Sequence, residues 1–335
     1  MLNIAVLGCG RIGRMHAENI AKHPRARLAG VFDVYAPAAE EVSSLLGATN
    51  FATAEELMAS DDVQAILIAT STPTHADFIE LAAQYGKPVL CEKPIDLSLQ
   101  RVNECAERIA GKNLPIMLGF VRRFDPGHRA VRQAIEAGHI GELHQVTITS
   151  RDPGMAPDAY IEASGGIFRD MTIHDFDMAR FILGEEVETV YATGSRLVNE
   201  TLMERVNDHD TVTVLLTSVS GKQVTILNSR RAVYGYDQRV EAFGSAGMAI
   251  SENHANNNMH LFGEAFTYQR PALQNFFIER YQAAFAAEID AFVEAVEKGI
   301  QPEVGFEDGR LALILAEAAL KSLKEQRPVN TAEVE

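Results

Sequence analysis

Three ionisable side chains near the middle of the chain, and a fourth nearer its start, have the types that acid–base chemistry needs. Asp170, His174 and Asp177 fall at i, i+4 and i+7 between Gly165-Gly166 and Gly184, so on a helix they share one face. The pattern predicts a helix from about Phe168 to Leu183, stopped by Gly184. An imidazole beside carboxylates suits proton transfer near neutral pH, because a carboxylate can orient the ring and stabilise its charged form. The same row also reads as a solvated helix face. A metal site is the third reading, but no Cys or further His stands nearby at ligand spacing, and no metal is expected. The fourth group is Lys93, in Cys91-Glu92-Lys93-Pro94 after the apolar run Pro88–Leu90. Ligands of open parallel sheets bind beyond the carboxyl ends of strands, and Pro94 restricts Lys93 to an extended backbone. Lys93 is then either a site cation able to stabilise developing alkoxide charge or an exposed loop lysine.

Gly8-Cys9-Gly10-Arg11-Ile12-Gly13 is a full G-x-G-x-x-G between strand-like Asn3–Leu7 and a helical stretch, Ile12–His23. The first glycine permits the tight turn, the second lets the backbone approach a pyrophosphate, and the third lets helix and strand pack closely. The helix N-terminus offers N–H groups and a positive dipole end to phosphates. Asp33 closes the second strand, where a carboxylate would bind ribose hydroxyls and repel a 2′-phosphate. NAD is therefore expected over NADP, with Arg11 and Arg14 close enough to weigh the other way. A glycine turn with a strand-end aspartate is the bland alternative. The dinucleotide site is expected to comprise Gly8, Gly10, Arg11, Ile12, Gly13, Asp33, Thr70, Glu92 and Lys93. Beside a nicotinamide, an imidazole base and an ammonium would together oxidise a secondary alcohol.

These groups need a scaffold, and the first 120 residues alternate apolar strands with helices, as a doubly wound parallel sheet does. From about Gly141 the pattern changes. Leu143–Ser150, Val187–Leu197, Asp210–Thr217, Lys222–Ser229, Arg239–Gly244 and Met248–Ser251 read as strands, with Ser220-Gly221 and Ser245-Ala246-Gly247 as turn signals. The chain thus reads as α/β followed by α+β: a Rossmann domain over 1–121 and a second domain over 122–335. Phe276–Lys298 and Phe306–Lys324 read as long helices, and Asn253–Gln269 as a surface loop.

Composition narrows the partners. A net charge of −16 opposes nucleic-acid binding, since a phosphate backbone would be repelled. No apolar run approaches the roughly 20 residues that span a bilayer. Three widely spaced cysteines fit no disulfide or zinc pattern, and the N-terminus enters a strand without signal-peptide features. A cytoplasmic location is the expectation.

The glycine turn, Glu92-Lys93-Pro94, Gly119-Phe-Val-Arg-Arg-Phe-Asp125, Asp170-Met-Thr-Ile-His174-Asp-Phe-Asp177, Ser229-Arg-Arg-Ala-Val-Tyr-Gly-Tyr-Asp237-Gln and Arg280-Tyr-Gln-Ala-Ala-Phe285 together resemble the glucose–fructose oxidoreductase/inositol dehydrogenase family over nearly the whole chain. The resemblance implies a Rossmann domain followed by a large, mostly antiparallel sheet whose open face mediates oligomerisation, usually into tetramers. It implies NAD-dependent oxidation of a ring hydroxyl of a cyclic polyol, an inositol first, in polyol catabolism. It also implies a catalytic set on Lys93, Asp170 and His174, with polyol contacts from Arg122 or Arg123, Asp152, Asp177 and Tyr236. Met171 and Phe124 depart from the family pattern, which often has a small polar residue and a tyrosine there, and bear on which polyol or epimer fits. The rivals are a dehydrogenase of another sugar, an aldose or a sugar acid, and a silent dinucleotide-sensing regulator. Loss of the lysine or histidine would have favoured the regulator.

Overall fold

A computed structural model describes residues 1–334. The chain forms two compact units: Met1–Val121 with Phe285–Leu313, and Arg122 to Ala284 with Ile314 onward. A division at 121/122 alone misses this return. The last helices carry apolar residues along much of their length, and part of that surface is buried in the first unit, at Phe285, Ile289, Phe292 and Val293.

In the first unit β1 (Leu2–Leu7), α1 (Arg11–Lys22), β2 (Ala26–Phe32), α2 (Ala36–Leu46), β3 (Thr49–Asn50), α3 (Ala54–Ala59), β4 (Ala65–Ile68), α4 (His75–Gln84), β5 (Val89–Cys91), α5 (Leu99–Ile109) and β6 (Ile116–Leu118) follow in order. The six strands are all parallel, in the order β3-β2-β1-β4-β5-β6. Strands β1, β4 and β5 are buried along almost their whole length, which is why they read as continuous apolar runs rather than alternating ones. The order reverses between β1 and β4, and in such sheets the reversal opens a crevice beyond the carboxyl ends. Register pairs Leu7 with Ile68 and Ile68 with Cys91, so the residues that follow these strands emerge along one edge.

The second unit contains α6 (Pro126–Glu136), β7 (Leu143–Arg151), α7 (Asp158–Ala163), α8 (Ile173–Leu183), β8 (Val187–Ser195), α9 (Glu200–Arg205), β9 (Thr211–Ser218), β10 (Gln223–Ser229), β11 (Asp237–Gly244) and β12 (Gly247–Ser251). Then come a hairpin, β13 (Leu261–Gly263) and β14 (Phe266–Gln269), and α10 (Phe277–Arg280). Helices α11 (Gln282–Lys298) and α12 (Phe306–Glu325) and the short β15 (Val329–Asn330) close the chain. Seven strands order as β12-β11-β7-β10-β9-β8-β15, antiparallel except for the β7–β10 pair. All six strands read from the sequence are present. The stretch read as a loop after Asn253 contains the β13–β14 hairpin instead.

One face of this sheet is apolar and packed. Val212, Val214 and Leu216 of β9 are buried while Thr213 and Leu215 between them are exposed, the period of two that a one-sided sheet imposes. Helix α6 lies against β11 and β12, and α8 against β7. Among the described residues no helix is long and apolar enough to cross a membrane.

Candidate active site

In the first unit, the glycine turn is built by close approach. Gly8 has φ +91, and a Cβ there would lie 2.5 Å from the Ala69 carbonyl oxygen. A Cβ on Gly13 would fall 1.8 Å from the Gly8 carbonyl oxygen, so the helix can start against the strand only without side chains. Gly10 differs: a Cβ there would meet nothing within 4 Å, which leaves open space over the backbone where a pyrophosphate would lie. No side chain caps the N-terminus of α1, so its first N–H groups remain for an anion. These features fit a dinucleotide.

Asp33, just past β2, accepts hydrogen bonds from the Cys9 N–H (2.6 Å) and the Tyr35 N–H (2.8 Å). Each carboxylate oxygen keeps a further lone pair for a ribose hydroxyl. Arg14, one of the two arginines that weighed towards NADP, is paired with Glu41 (2.5 Å) and Glu18 (3.3 Å). Arg11 is exposed at the first position of α1, followed by half-buried Ile12. Thr70 follows β4 and bonds through its hydroxyl to that of Thr74 at 2.8 Å.

Glu92 and Lys93 follow β5, both half-buried, and the Lys93–Pro94 bond is cis. Glu92 meets the His16 ring at 2.9 Å. Burial alone would raise its pKa, but that bond and the charges of His16, Lys93 and His75 outweigh burial and hold it below the usual range. His75 spans two strand-end segments, its ring nitrogens 2.7 Å from the Pro94 carbonyl oxygen and 3.0 Å from that of Thr70. Behind Glu92, the fully buried Glu288 carboxyl has no hydrogen-bond partner among the described residues. Burial, then the Glu92 charge, push its pKa well up.

The second unit holds the aspartates and histidine, with a correction to the helix that carries them. Phe168–Thr172 forms a π-helical turn, and α8 begins only at Ile173. The wider turn breaks the i, i+4, i+7 register, and the carboxylates diverge to separate arginines. Asp170 accepts from Arg230 Nη1 at 3.0 Å and from the Tyr160 hydroxyl at 2.7 Å. Asp175 accepts from Arg122 Nη1 (2.6 Å), the Ser150 hydroxyl (2.5 Å) and Asn228 Nδ2 (2.8 Å). Asp177, 1% exposed, takes a two-pronged bond from Arg123, at 2.9 Å from Nε and 2.5 Å from Nη2. His174 lies on the first turn of α8, half-buried.

Among the expected polyol contacts, Arg122, Arg123 and Asp177 are thus buried in ion pairs within this unit. Tyr236 is 6% exposed and packs edge-on against Tyr281 with centroids 6.2 Å apart. Asp152, just beyond β7, stays partly accessible. Its pKa rises to about 6, first by burial and then by the charge of Asp170, against the pull of Arg230 and Arg122. Among the described residues, no group of three or more His, Cys, Asp or Glu side chains could hold a metal ion.

Asp175, Ser150, Asn228, Tyr160, Arg230, His16, His75 and Glu288 carried no role in the sequence reading. Only Arg230 and Asp175 had a signal, as parts of the quoted stretches Ser229-Arg230-Arg231 and His174-Asp175-Phe176-Asp177.

Two family models match the chain over residues 2–250, apart from a short gap between them. Residues 2–120 match an oxidoreductase family with an NAD-binding Rossmann fold, and residues 128–250 match the GFO/IDH/MocA C-terminal domain. The chain is 46% identical to an inositol 2-dehydrogenase of Rhizobium meliloti (strain 1021), over 99% of each chain. It is 43% identical to a myo-inositol 2-dehydrogenase of Thermotoga maritima, again over 99% of each. The solved structure of a scyllo-inositol dehydrogenase from Lactobacillus casei, with bound NAD(H) and scyllo-inositol, superimposes with a TM-score of 0.90 at 29% identity, covering 99% of both chains. In sequence and in both domains, this chain belongs to the GFO/IDH/MocA family of oxidoreductases, whose Rossmann domain binds NAD.

Proposed function

We propose that this protein oxidises one ring hydroxyl of an inositol to the ketone, with NAD as acceptor. The observation that carries the reading is likeness to inositol dehydrogenases over 99% of each chain. It is joined by a half-buried imidazole four residues after an arginine-held carboxylate.

When bound, the nicotinamide supplies the hydride acceptor. Gly8, Gly10, Arg11, Ile12 and Gly13 receive the pyrophosphate, Asp33 the adenosine ribose, and Thr70 and Glu92 line the nicotinamide end. His174 takes the hydroxyl proton, Asp170 fixes the charge that the imidazole gains, and Lys93 stabilises the developing alkoxide. Asp152 accepts from a neighbouring ring hydroxyl. Arg122, Arg123, Asp177 and Tyr236 shape that pocket through the ion pairs and packing described above. A sugar acid is disfavoured, because its carboxylate would meet Asp152 and Asp170.

The protein assembles as a homotetramer through its C-terminal sheet and works in the cytoplasm, in polyol catabolism. Exposed Leu215, Phe243, Met248 and Ile250 on the sheet support the assembly, since apolar side chains gathered on one surface mark interaction sites. Three free, buried cysteines support a reducing compartment. The test is NADH absorbance with a panel of inositols, aldoses and sugar acids, run with NAD and with NADP. Turnover of an inositol with NAD is expected; turnover of a sugar acid alone contradicts the reading.

A further inference from the structure

We propose that Arg230 is a positioning residue in the second unit, holding Asp170 in place and leaving Asp152, among the described residues, as the carboxyl that receives no arginine bond. The inference rests on the reading above only for its consequence in turnover; its structural content stands apart.

The geometry is a matter of assignment. Three arginines meet five carboxylates, and each arginine has its partner. Arg122 bonds Asp175 at 2.6 Å, Arg123 grips Asp177, and Arg230 bonds Asp170 at 3.0 Å with Asp208 3.7 Å from its other Nη. Arg230 cannot be reassigned easily. It is 2% exposed, and its own N–H donates to the Asp210 carbonyl at 2.8 Å. Asp208 in turn accepts from the Ile167 N–H at 3.1 Å, at the entry to the π-helical turn that carries Asp170. Asp152 is stitched to both sides of Arg230 through backbone: its N–H donates to the Ser229 carbonyl at 3.0 Å, and its carbonyl accepts from the Ala232 N–H at 2.6 Å. Its carboxyl receives none of the arginine bonds.

The charged and titratable groups that act on Asp152 include Asp170 in the π turn, Asp175 on α8, Arg122 after β6 and Arg230 after β10, and Tyr160 on α7 and Tyr236 before β11 feel its charge in turn. Burial and the Asp170 charge raise the pKa of Asp152 to about 6. With Asp170 held by Arg230 and Tyr160, an imidazolium formed at His174 has a fixed carboxyl group four residues before it. Asp152 can then accept from a ligand hydroxyl when ionised, and donate to one when protonated.

The test is a carboxyl titration that needs no substrate. Protein labelled with 13C at the Asp carboxyl carbon is titrated by NMR, the Asp152 resonance being assigned by its loss in Asp152→Asn. The expected midpoint is near 6. Arg230→Met is expected to raise it by about one unit or more, the scale on which a neighbouring charge acts, while Arg230→Lys leaves it in place. Should Arg230→Met fail to fold, Asp170→Asn is the second probe and is expected to lower the midpoint. A wild-type midpoint in the ordinary carboxylate range, or one that neither Arg230→Met nor Asp170→Asn moves, overturns the proposal. Absence of NADH formation with every inositol would sink the functional reading instead, and leaves the titration result as it stands.

Discussion

The carboxylate of Asp33 accepts the backbone N–H of Cys9 at 2.6 Å, tying the end of β2 to the glycine turn. One side chain thus both shapes the loop that faces the pyrophosphate and presents a negative charge where the ribose would lie. Asp33→Ser removes a charge-assisted acceptor worth about 1.5–3 kcal/mol, so the KM for NAD is expected to rise about tenfold or more. The KM for NADP changes far less, because its 2′-phosphate no longer meets a carboxylate. Steady-state kinetics with both cofactors checks this. Equal effects on the two would make Asp33 a loop anchor only.

Arg123 and Asp177 form a buried pair, 6% and 1% exposed. Taking one partner away strands the other charge in a low dielectric, at a cost of about 3–5 kcal/mol. Asp177→Ala is expected to move the urea unfolding transition sharply to lower concentration, and the double variant Arg123→Met, Asp177→Leu much less. A single variant with a wild-type transition would show that the pair is not holding the helix.

Glu288 gives stability a pH dependence of unusual sign. Its folded-state pKa is raised, by burial first and then by the charge of Glu92, so the folded chain holds a proton that the unfolded chain releases above about pH 4.3. Stability from this group is complete below that value and falls as pH rises towards the folded pKa, by up to about 1.4 kcal/mol per unit. Glu288→Gln abolishes the slope. Its Tm relative to wild type is expected to climb between about pH 5 and pH 8; a constant difference across that range contradicts a protonated Glu288.

Lys93→Ala and His174→Ala each remove a group assigned to the chemistry, Lys93 standing also at the edge of the expected dinucleotide site. Turnover is expected to fall at least about 100-fold, the scale of acid–base contributions, with NAD affinity by fluorescence titration nearly unchanged. Near-normal turnover in either variant removes that residue from the mechanism.

Local pattern made much of the molecule legible. The turn from Gly8 to Gly13 constrains its own neighbourhood, so motif, strand and helix could be read together. Buried strands such as Ala65–Ile68 announced themselves by length and flanks, and β9 by its alternation. What stayed hidden depends on separation. Arg230 and Asp170 are 60 residues apart, and Arg122 and Asp175 are 53; nothing local says which arginine claims which carboxylate. The π turn at Phe168–Thr172 leaves no sequence mark, since its residues suit an α-helix equally well. Yet it changes the setting of Asp170 relative to the helix that carries Asp175 and Asp177. The return of the chain to the first unit after Ala284 was hidden for the same reason, because an apolar helix does not state which sheet it covers.

Hydride transfer from the ring carbon to the nicotinamide can be followed with deuterium. Myo-inositol carrying deuterium on every ring carbon is supplied with NAD, and the reduced cofactor is analysed by mass spectrometry. Each turnover is expected to place one deuterium on the nicotinamide ring, and the label is expected to appear at least about 100-fold more slowly with Lys93→Ala or His174→Ala. Reduced cofactor without deuterium, or no reduction with any inositol isomer, would contradict that transfer.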